Sequence, residues 1–332
     1  MKTVVTGASG HLGVNLVRAL ISRGRQVLVI SHTTNLGLEG LPVEYIHGDV
    51  CELNSLMTAF KDADVVYHLA AHISLLMDDW HKCEAINVNG TSNVIEACSR
   101  TGVRRLVHFS TIHALNMYPF NVPVDESRPL IESTKAPPYD RSKAQGEKAI
   151  LQAVSKGFNA IIIKPTGIIG PYDYRPSHFG QALLLMASGK LPILLDGGFD
   201  WVDIRDVAQY AIEAEQNAPA GSNYLFSGHW LSVRELAKTV SDLSGVKCPG
   251  LVCPMGLAKA FAPIATITSQ LSGSRPIFTT ASLNALISNR SISHAKATRE
   301  IGYNPRPLHD TLADTIKWFQ DNSFLKKENS IT

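Results

Sequence analysis

The sequence predicts an α/β protein: a doubly wound parallel sheet, with a smaller mixed α/β part built onto its C-terminal side. Three observations predict it. Strand-like runs alternate with longer helical patterns through the first half, those runs lack polar alternation, and a glycine-rich turn joins the first strand to the first helix. The runs are Thr3–Thr6, Val27–Ile30, Val43–His47, Val65–Leu69, Leu106–Ser110 and Ala160–Lys164. Unbroken apolar character is what strands covered on both faces of a parallel sheet require. Between them lie helical patterns at Leu12–Arg23, Leu53–Phe60, Trp80–Ser99 and Tyr139–Ser155. Such folds place their sites at the carboxyl ends of the strands.

The second half changes character. Pro and Gly punctuate residues 165–198, and short strands at Ile193–Leu195 and Tyr224–Phe226 mix with helices at Val207–Glu215, Val233–Ser244 and Leu312–Asn322. No internal repeat or low-complexity linker intervenes, so the two parts are expected to pack tightly.

Composition bounds the function. The 332 residues carry 31 Lys+Arg against 29 Asp+Glu, with 45% hydrophobic and 18% charged residues. That is ordinary for a globular chain with a sizeable core and excludes disorder, collagen and a supercharged nucleic-acid binder. A net charge of +2 gives no electrostatic reason to expect nucleic acid or an acidic membrane surface as partner. The five cysteines, Cys51, Cys83, Cys98, Cys248 and Cys253, are scattered and read as reduced thiols. No second Cys/His pair completes a zinc site with Cys248 and Cys253, and no two histidines show metal-ligand spacing, so no metal is expected. Met1-Lys2 runs straight into a strand, and the charge-free stretch between Lys259 and Arg275 is too short and too polar to span a bilayer. A cytoplasmic protein without a membrane span is the expectation.

The turn reads Gly7-Ala8-Ser9-Gly10-His11-Leu12-Gly13. Glycines let the backbone approach a pyrophosphate, and a helix N-terminus offers unpaired N–H groups and a positive dipole end. Its spacing, with Asp49-Val50, His68-Leu69-Ala70-Ala71, Asn87-Val88-Asn89-Gly90-Thr91 and Tyr139-Asp140-Arg141-Ser142-Lys143 in order after it, resembles the extended branch of the short-chain dehydrogenase/reductase superfamily. The resemblance continues through Trp201–Ala208 and covers nearly the whole chain. It implies a Rossmann-type domain over residues 1–165 and a mainly substrate-binding domain over 166–330, some of whose segments return to the Rossmann sheet.

The resemblance also implies NAD or NADP as cofactor, held by Gly7, Ser9, Gly10, His11, Leu12, Gly13, Asp49, Val50, Leu69, Ala70 and Ala71. Lys164, Pro165, Thr166 and Ile168 would line the nicotinamide side. The end of the second strand, Val29-Ile30-Ser31-His32-Thr33-Thr34, carries no carboxylate. A carboxylate there would bind the adenine ribose of NAD, so its absence favours NADP, with Ser31, His32 and Thr33 as donors to the 2′-phosphate.

Tyr139 and Lys143 are four apart on a helical pattern and share a face. A phenol near pKa 10 (approximately) needs adjacent positive charge to act as acid or base at neutral pH, and Lys143 supplies it. Aligned on the family pattern, Thr111 takes the hydroxyl position that holds the reacting oxygen, with Ser110 as the alternative. Dehydratases of this superfamily carry an acidic pair where Ile112-His113 stand. Epimerases have an asparagine near Gly167. The stretch Lys164–Pro171 instead resembles dihydroflavonol 4-reductases and 3β-hydroxysteroid dehydrogenases, as do Tyr139–Glu147 and Ile301–Pro305. That implies an oxidoreductase acting on a ketone, aldehyde or alcohol of a bulky apolar molecule. Two other readings remain: a nucleotide-sugar epimerase and an inactive cofactor-binding regulator. His72 and His113 near strand ends, with Tyr172 and His178 by position, are candidate substrate contacts. Ala260–Ser274, with Leu257, Phe261, Ile264 and Ile267, reads equally as an apolar lid or a core helix. Family members are often homodimers.

Overall fold

The computed structural model describes residues 1–32, 35–271 and 279–325, without the side chains of residues 266, 267 and 269–271. Strands β1 (Lys2–Thr6), β2 (Gln26–Ser31), β3 (Glu44–His47), β4 (Val65–His68), β5 (Arg105–Phe109) and β6 (Ala160–Pro165) occupy the first half. After them come β7 (Gly167–Ile169), β8 (Leu194–Leu195), β9 (Gly198–Asp203), β10 (Asn223–Phe226), β11 (His229–Ser232) and β12 (Val252–Cys253). Seven of these form one all-parallel sheet in the order β10-β6-β5-β4-β1-β2-β3. The strand order reverses at β1, between β2 and β4, which is where a doubly wound sheet opens a crevice.

Helices α1 (His11–Ser22), α2 (Leu53–Ala59), α3 (Trp80–Cys83), α4 (Gly90–Thr101), α5 (Pro138–Ser155), α6 (His178–Ala187) and α7 (Ile204–Asn217) follow the strands. The sheet strands are buried along almost their whole length except at the β3 edge, because helices cover both faces. Val5, Val29, Tyr67 and Val107 face a core shared with α1 and α7, while Val4, Val66 and Leu106 face one shared with α2 and α4. The expected single helix over Trp80–Ser99 is interrupted by a π-helical segment, Glu84–Asn89. Asn87 in that widened turn reaches inward, where its amide donates to the His72 carbonyl at 3.0 Å and to the Ser142 hydroxyl at 2.8 Å.

The smaller part adds α8 (Val233–Ser244), α9 (Met255–Leu271), α10 (Thr280–Leu286), α11 (Ala295–Ile301) and α12 (Leu308–Asp321), with a three-stranded sheet β11-β9-β7 and the pair β12-β8. It has its own core, around Leu183, Phe199, Trp201, Leu236, Leu312 and Phe319. Residues 223–226 leave it to pair with β6. Of the stretch Ala260–Ser274, residues 260–271 lie on α9, where Phe261 and Ile264 are exposed, so this is not a core helix. The Ile267 side chain, residues 272–274 and Thr33 lie outside the described residues.

Candidate active site

The glycine turn fits a dinucleotide for reasons of space. Gly7 has φ 69°, and a Cβ there would meet the Ala70 backbone nitrogen at 2.6 Å. A Cβ on Gly13 would run into the Gly7 carbonyl and Ala8, so these two glycines let β1, the turn and α1 pack. Gly10 differs: the nearest heavy atom to its Cβ would be the Gly7 carbonyl at 3.2 Å, and the residue lines the large cavity described below. Its bareness leaves room for a ligand. Gly10 is also the N-cap of α1, with no side-chain cap and no acidic residue in the first turn. The first N–H groups of the helix therefore point at open space, a fit for pyrophosphate oxygens.

His11 closes this loop against the smaller part. Its Nε2 lies 3.1 Å from both the Gly170 and the Pro171 carbonyl oxygens, and burial lowers its pKa against the raising effect of Asp173. At the adenine end, His32 Nε2 stands 3.3 Å from Asp49 Oδ2. This corner thus holds a carboxylate although the end of β2 supplies none.

At the reacting end, α5 starts with Pro138 in its first turn and projects Tyr139 and Lys143 from one face. The Thr111 hydroxyl acts on the Tyr139 phenol to lower its pKa, and it accepts the His113 backbone N–H at 3.3 Å. Burial and the Asp140 charge push the Tyr139 pKa up and outweigh the Thr111 hydroxyl. Asp140 is itself pushed up by burial, with His113 opposing. Lys143 donates to the Phe109 carbonyl at 2.6 Å, and burial brings it down to about 8, with Glu147 opposing.

Behind this row lies a group that the sequence reading left without a role. Glu147 is fully buried one turn after Lys143; its Oε2 accepts the Ser110 hydroxyl at 2.6 Å and its Oε1 pairs with Lys164 at 2.6 Å. Ser110 lines the cavity described below, but its hydroxyl is taken by Glu147, and Thr111 is the hydroxyl that acts on Tyr139. The i,i+4 spacing of Lys143 and Glu147 was the available signal, since it puts both on one helix face. Lys164, expected at the nicotinamide side, is instead the buried partner of Glu147.

One continuous cavity of about 1320 Å³ joins these parts. It brings together Gly7, Ser9, Gly10, His11, Leu12, Gly13, His32, Asp49, Val50, Leu69, Ala70, Ala71, Thr111, Tyr139, Lys143, Pro165, Thr166 and Ile168, with His113 and His178 from the substrate candidates. Three expected residues are not on its wall. Ser31 extends the sheet ladder, where its carbonyl accepts the Gly48 N–H at 3.2 Å. His72 turns its ring to Asp79, 2.6 Å away. Tyr172 packs beneath the Arg18 guanidinium at 4.4 Å and beside Trp318 at 6.1 Å. Beyond Tyr139 the wall becomes apolar, built from Leu115, Met117, Phe179, Leu183, Phe199 and Trp201. Among the described residues no helix is long and apolar enough to cross a membrane.

Comparison with known proteins agrees with this arrangement. The NAD dependent epimerase/dehydratase family matches residues 3–225. Sterol demethylase protein B of Methylococcus capsulatus is 31% identical over 98% of this chain and 100% of that protein. A 4-hydroxy-2-methyl-3-oxo-4-farnesyl-3,4-dihydroquinoline-1-oxide ketoreductase of Stigmatella aurantiaca is 29% identical over 96% of each. The crystal structure of gox2253 superposes with a TM-score of 0.85 at 30% identity, over 98% of this chain and 99% of the other. With a glycine turn at the switch point of a parallel sheet and these relatives along its whole length, the chain belongs to the NAD dependent epimerase/dehydratase family.

Proposed function

We propose that the protein reduces a ketone or aldehyde of a bulky, largely apolar molecule, or oxidises the matching alcohol, with Tyr139 as the proton-transferring group. The carrying observation is that Thr111, Tyr139 and Lys143 open onto an apolar wall within the same cavity as the glycine turn. Both relatives named above act, by their names, in sterol or farnesylated-quinoline chemistry, which supports a large apolar substrate.

The nicotinamide, when bound, gives or takes the hydride at the carbonyl carbon. In reduction the Tyr139 phenol gives its proton to the carbonyl oxygen, and Thr111 holds that oxygen. The His113 backbone N–H occupies one lone pair of the Thr111 hydroxyl, whose proton is then available to the phenol or, with substrate bound, to the reacting oxygen. Lys143 stabilises the phenolate that remains on Tyr139. Its own position is set by the Phe109 carbonyl and by the charge of Glu147. The apolar wall excludes water from the reacting carbon and binds the substrate body.

Tyr139→Phe tests the reading. Reduction of apolar ketones should fall by at least about 100-fold while nicotinamide binding is kept, as expected when a general acid is removed. Unchanged turnover would refute the mechanism. UDP-sugar isomerisation without net use of the dinucleotide would refute the reaction class.

A further inference from the structure

Helix α9 is amphipathic in the reverse sense. Its more buried positions are Met255, Ala258, Ala262 and Ala265, whereas Leu257, Phe261 and Ile264 stand 55%, 62% and 59% exposed. Spacings of four and three residues set these three on one stripe. A helix on the surface of a globular protein turns its large apolar side chains inward and its polar ones outward. Here small side chains face in and large apolar ones face out, and Lys259 is the helix's sole charge.

The apolar surface does not stop at this helix. Packed against α9 is α10, and Asn289 just beyond it donates to the Val122 carbonyl at 2.6 Å. That bond ties the helix pair to a loop where Tyr118, Phe120 and Val122 are exposed and Tyr118 stacks on Phe120 at 4.2 Å. Tyr118, Phe120 and Lys259 also line the active-site cavity. Apolar surface therefore runs from the cavity wall out onto the face of the molecule.

Charge is distributed to match. Residues 243–299 contain six Lys or Arg and no Asp or Glu, in a chain whose net charge is only +2. The near balance of the whole chain thus hides one segment without a single carboxylate. Of these cations Lys259 lies on α9 itself, and Arg128 holds the neighbouring loop by donating to the Pro119 and Val122 carbonyls, so an anionic surface attracts both parts of the face.

We infer that α9 and the Tyr118–Val122 loop dock the protein onto an anionic lipid bilayer, with the mouth of the cavity toward the membrane. The helix, about 25 Å long at 1.5 Å per residue, lies in the interface with Leu257, Phe261 and Ile264 among the acyl chains. An apolar substrate then passes between bilayer and active site without crossing water. A second copy of the chain is the competing occupant of an apolar face. A two-fold contact through α9 would bring two copies of this carboxylate-free segment together and set like charge against like. This deepens the apolar-substrate reading above.

The test is co-sedimentation of the full chain with vesicles of phosphatidylcholine, with and without phosphatidylglycerol. The protein should bind the anionic vesicles and bind the neutral ones more weakly. The triple variant Leu257→Ser/Phe261→Ser/Ile264→Ser should bind at least about tenfold more weakly, since each side chain loses its transfer into lipid. Its thermal midpoint and its nicotinamide binding should match the parent, because none of the three lines the cavity. No binding to either vesicle overturns the proposal, as does a triple variant that binds like the parent. A dimer that the triple variant dissociates, in a chain that ignores vesicles, assigns the face to a second copy instead. No substrate is used, so failure here leaves the reduction standing, and an absent turnover leaves the docking standing.

Discussion

Glu147→Gln should unfold more easily and react at a different pH, and both effects follow from one buried atom pair. Glu147 and Lys164 are each about 2% exposed and lie 2.6 Å apart, so neither charge has water to fall back on. Removing one partner of such a pair costs about 3–5 kcal/mol, because the other charge stays buried without compensation. Glutamine keeps the shape and can still accept the Ser110 hydroxyl, so the loss reports the charge rather than a cavity. Urea unfolding followed by tryptophan fluorescence gives the number. Glu147→Gln/Lys164→Met should recover most of it, since replacing both charges removes the desolvation cost as well as the attraction. A loss below about 1 kcal/mol for the single variant would refute the reasoning, as that is the range of an exposed pair. The same substitution removes the charge that holds Lys143 up, so the Lys143 pKa should move below its value of about 8.

Three further outcomes are expected. Gly10→Ala should keep the fold and weaken nicotinamide binding by at least about tenfold, because its Cβ meets only the Gly7 carbonyl and fills the phosphate space; Gly13→Ala should lower thermal stability as well, because its Cβ strikes backbone. Carbonyl reduction should decline as pH rises through about 8, where Lys143 loses the proton that stabilises the Tyr139 phenolate; a rate flat to about pH 9.5 would count against that role. Stability should fall as pH drops below 6.5, because burial holds His68 down to about 3, so the unfolded chain takes up a proton that the folded one refuses. That amounts to about 2 kcal/mol per buried imidazole at pH 5. His108 lies in the same core with both ring nitrogens unpartnered, so His108→Phe should flatten the acid slope at little cost near neutrality, as measured by urea midpoints at two pH values.

The order of strands and the position of the glycine turn were legible because a buried parallel strand and a tight phosphate turn each demand a narrow set of residues. Strand ends agreed with the structure to within about one residue for β1, β2 and β6. The break in the helix after Trp80 was not legible, since Glu84–Asn89 carries no proline or glycine to announce a widened turn. What marks it is the Asn87 amide, whose partners His72 and Ser142 lie far away in sequence. The substrate candidates show the same limit. His113, on the short helical turn Ile112–Ala114 after β5, reaches the cavity, whereas Tyr172, three residues after β7, is drawn away by Arg18 and Trp318 from α1 and α12. Proximity to a strand end fixes where the backbone is, not which way the next side chain turns.

The route of the chain between β6 and β10 sets how the two parts can be separated. It leaves the main sheet at Pro165, comes back at Asn223 on the neighbouring strand and leaves again at Phe226, where the Thr166 N–H donates to the Phe226 carbonyl at 3.1 Å. One Asp200 carboxylate oxygen takes both the Thr166 hydroxyl, at 2.6 Å, and the Gly228 N–H, at 2.8 Å. The two exits are thus riveted side by side. A fragment cut at Pro165 would lose β10 and expose β6 as an unpaired edge, apolar but for Lys164, the kind of edge that recruits other chains. The outer part is fastened at that double crossing, and neither piece can be excised as a folded module.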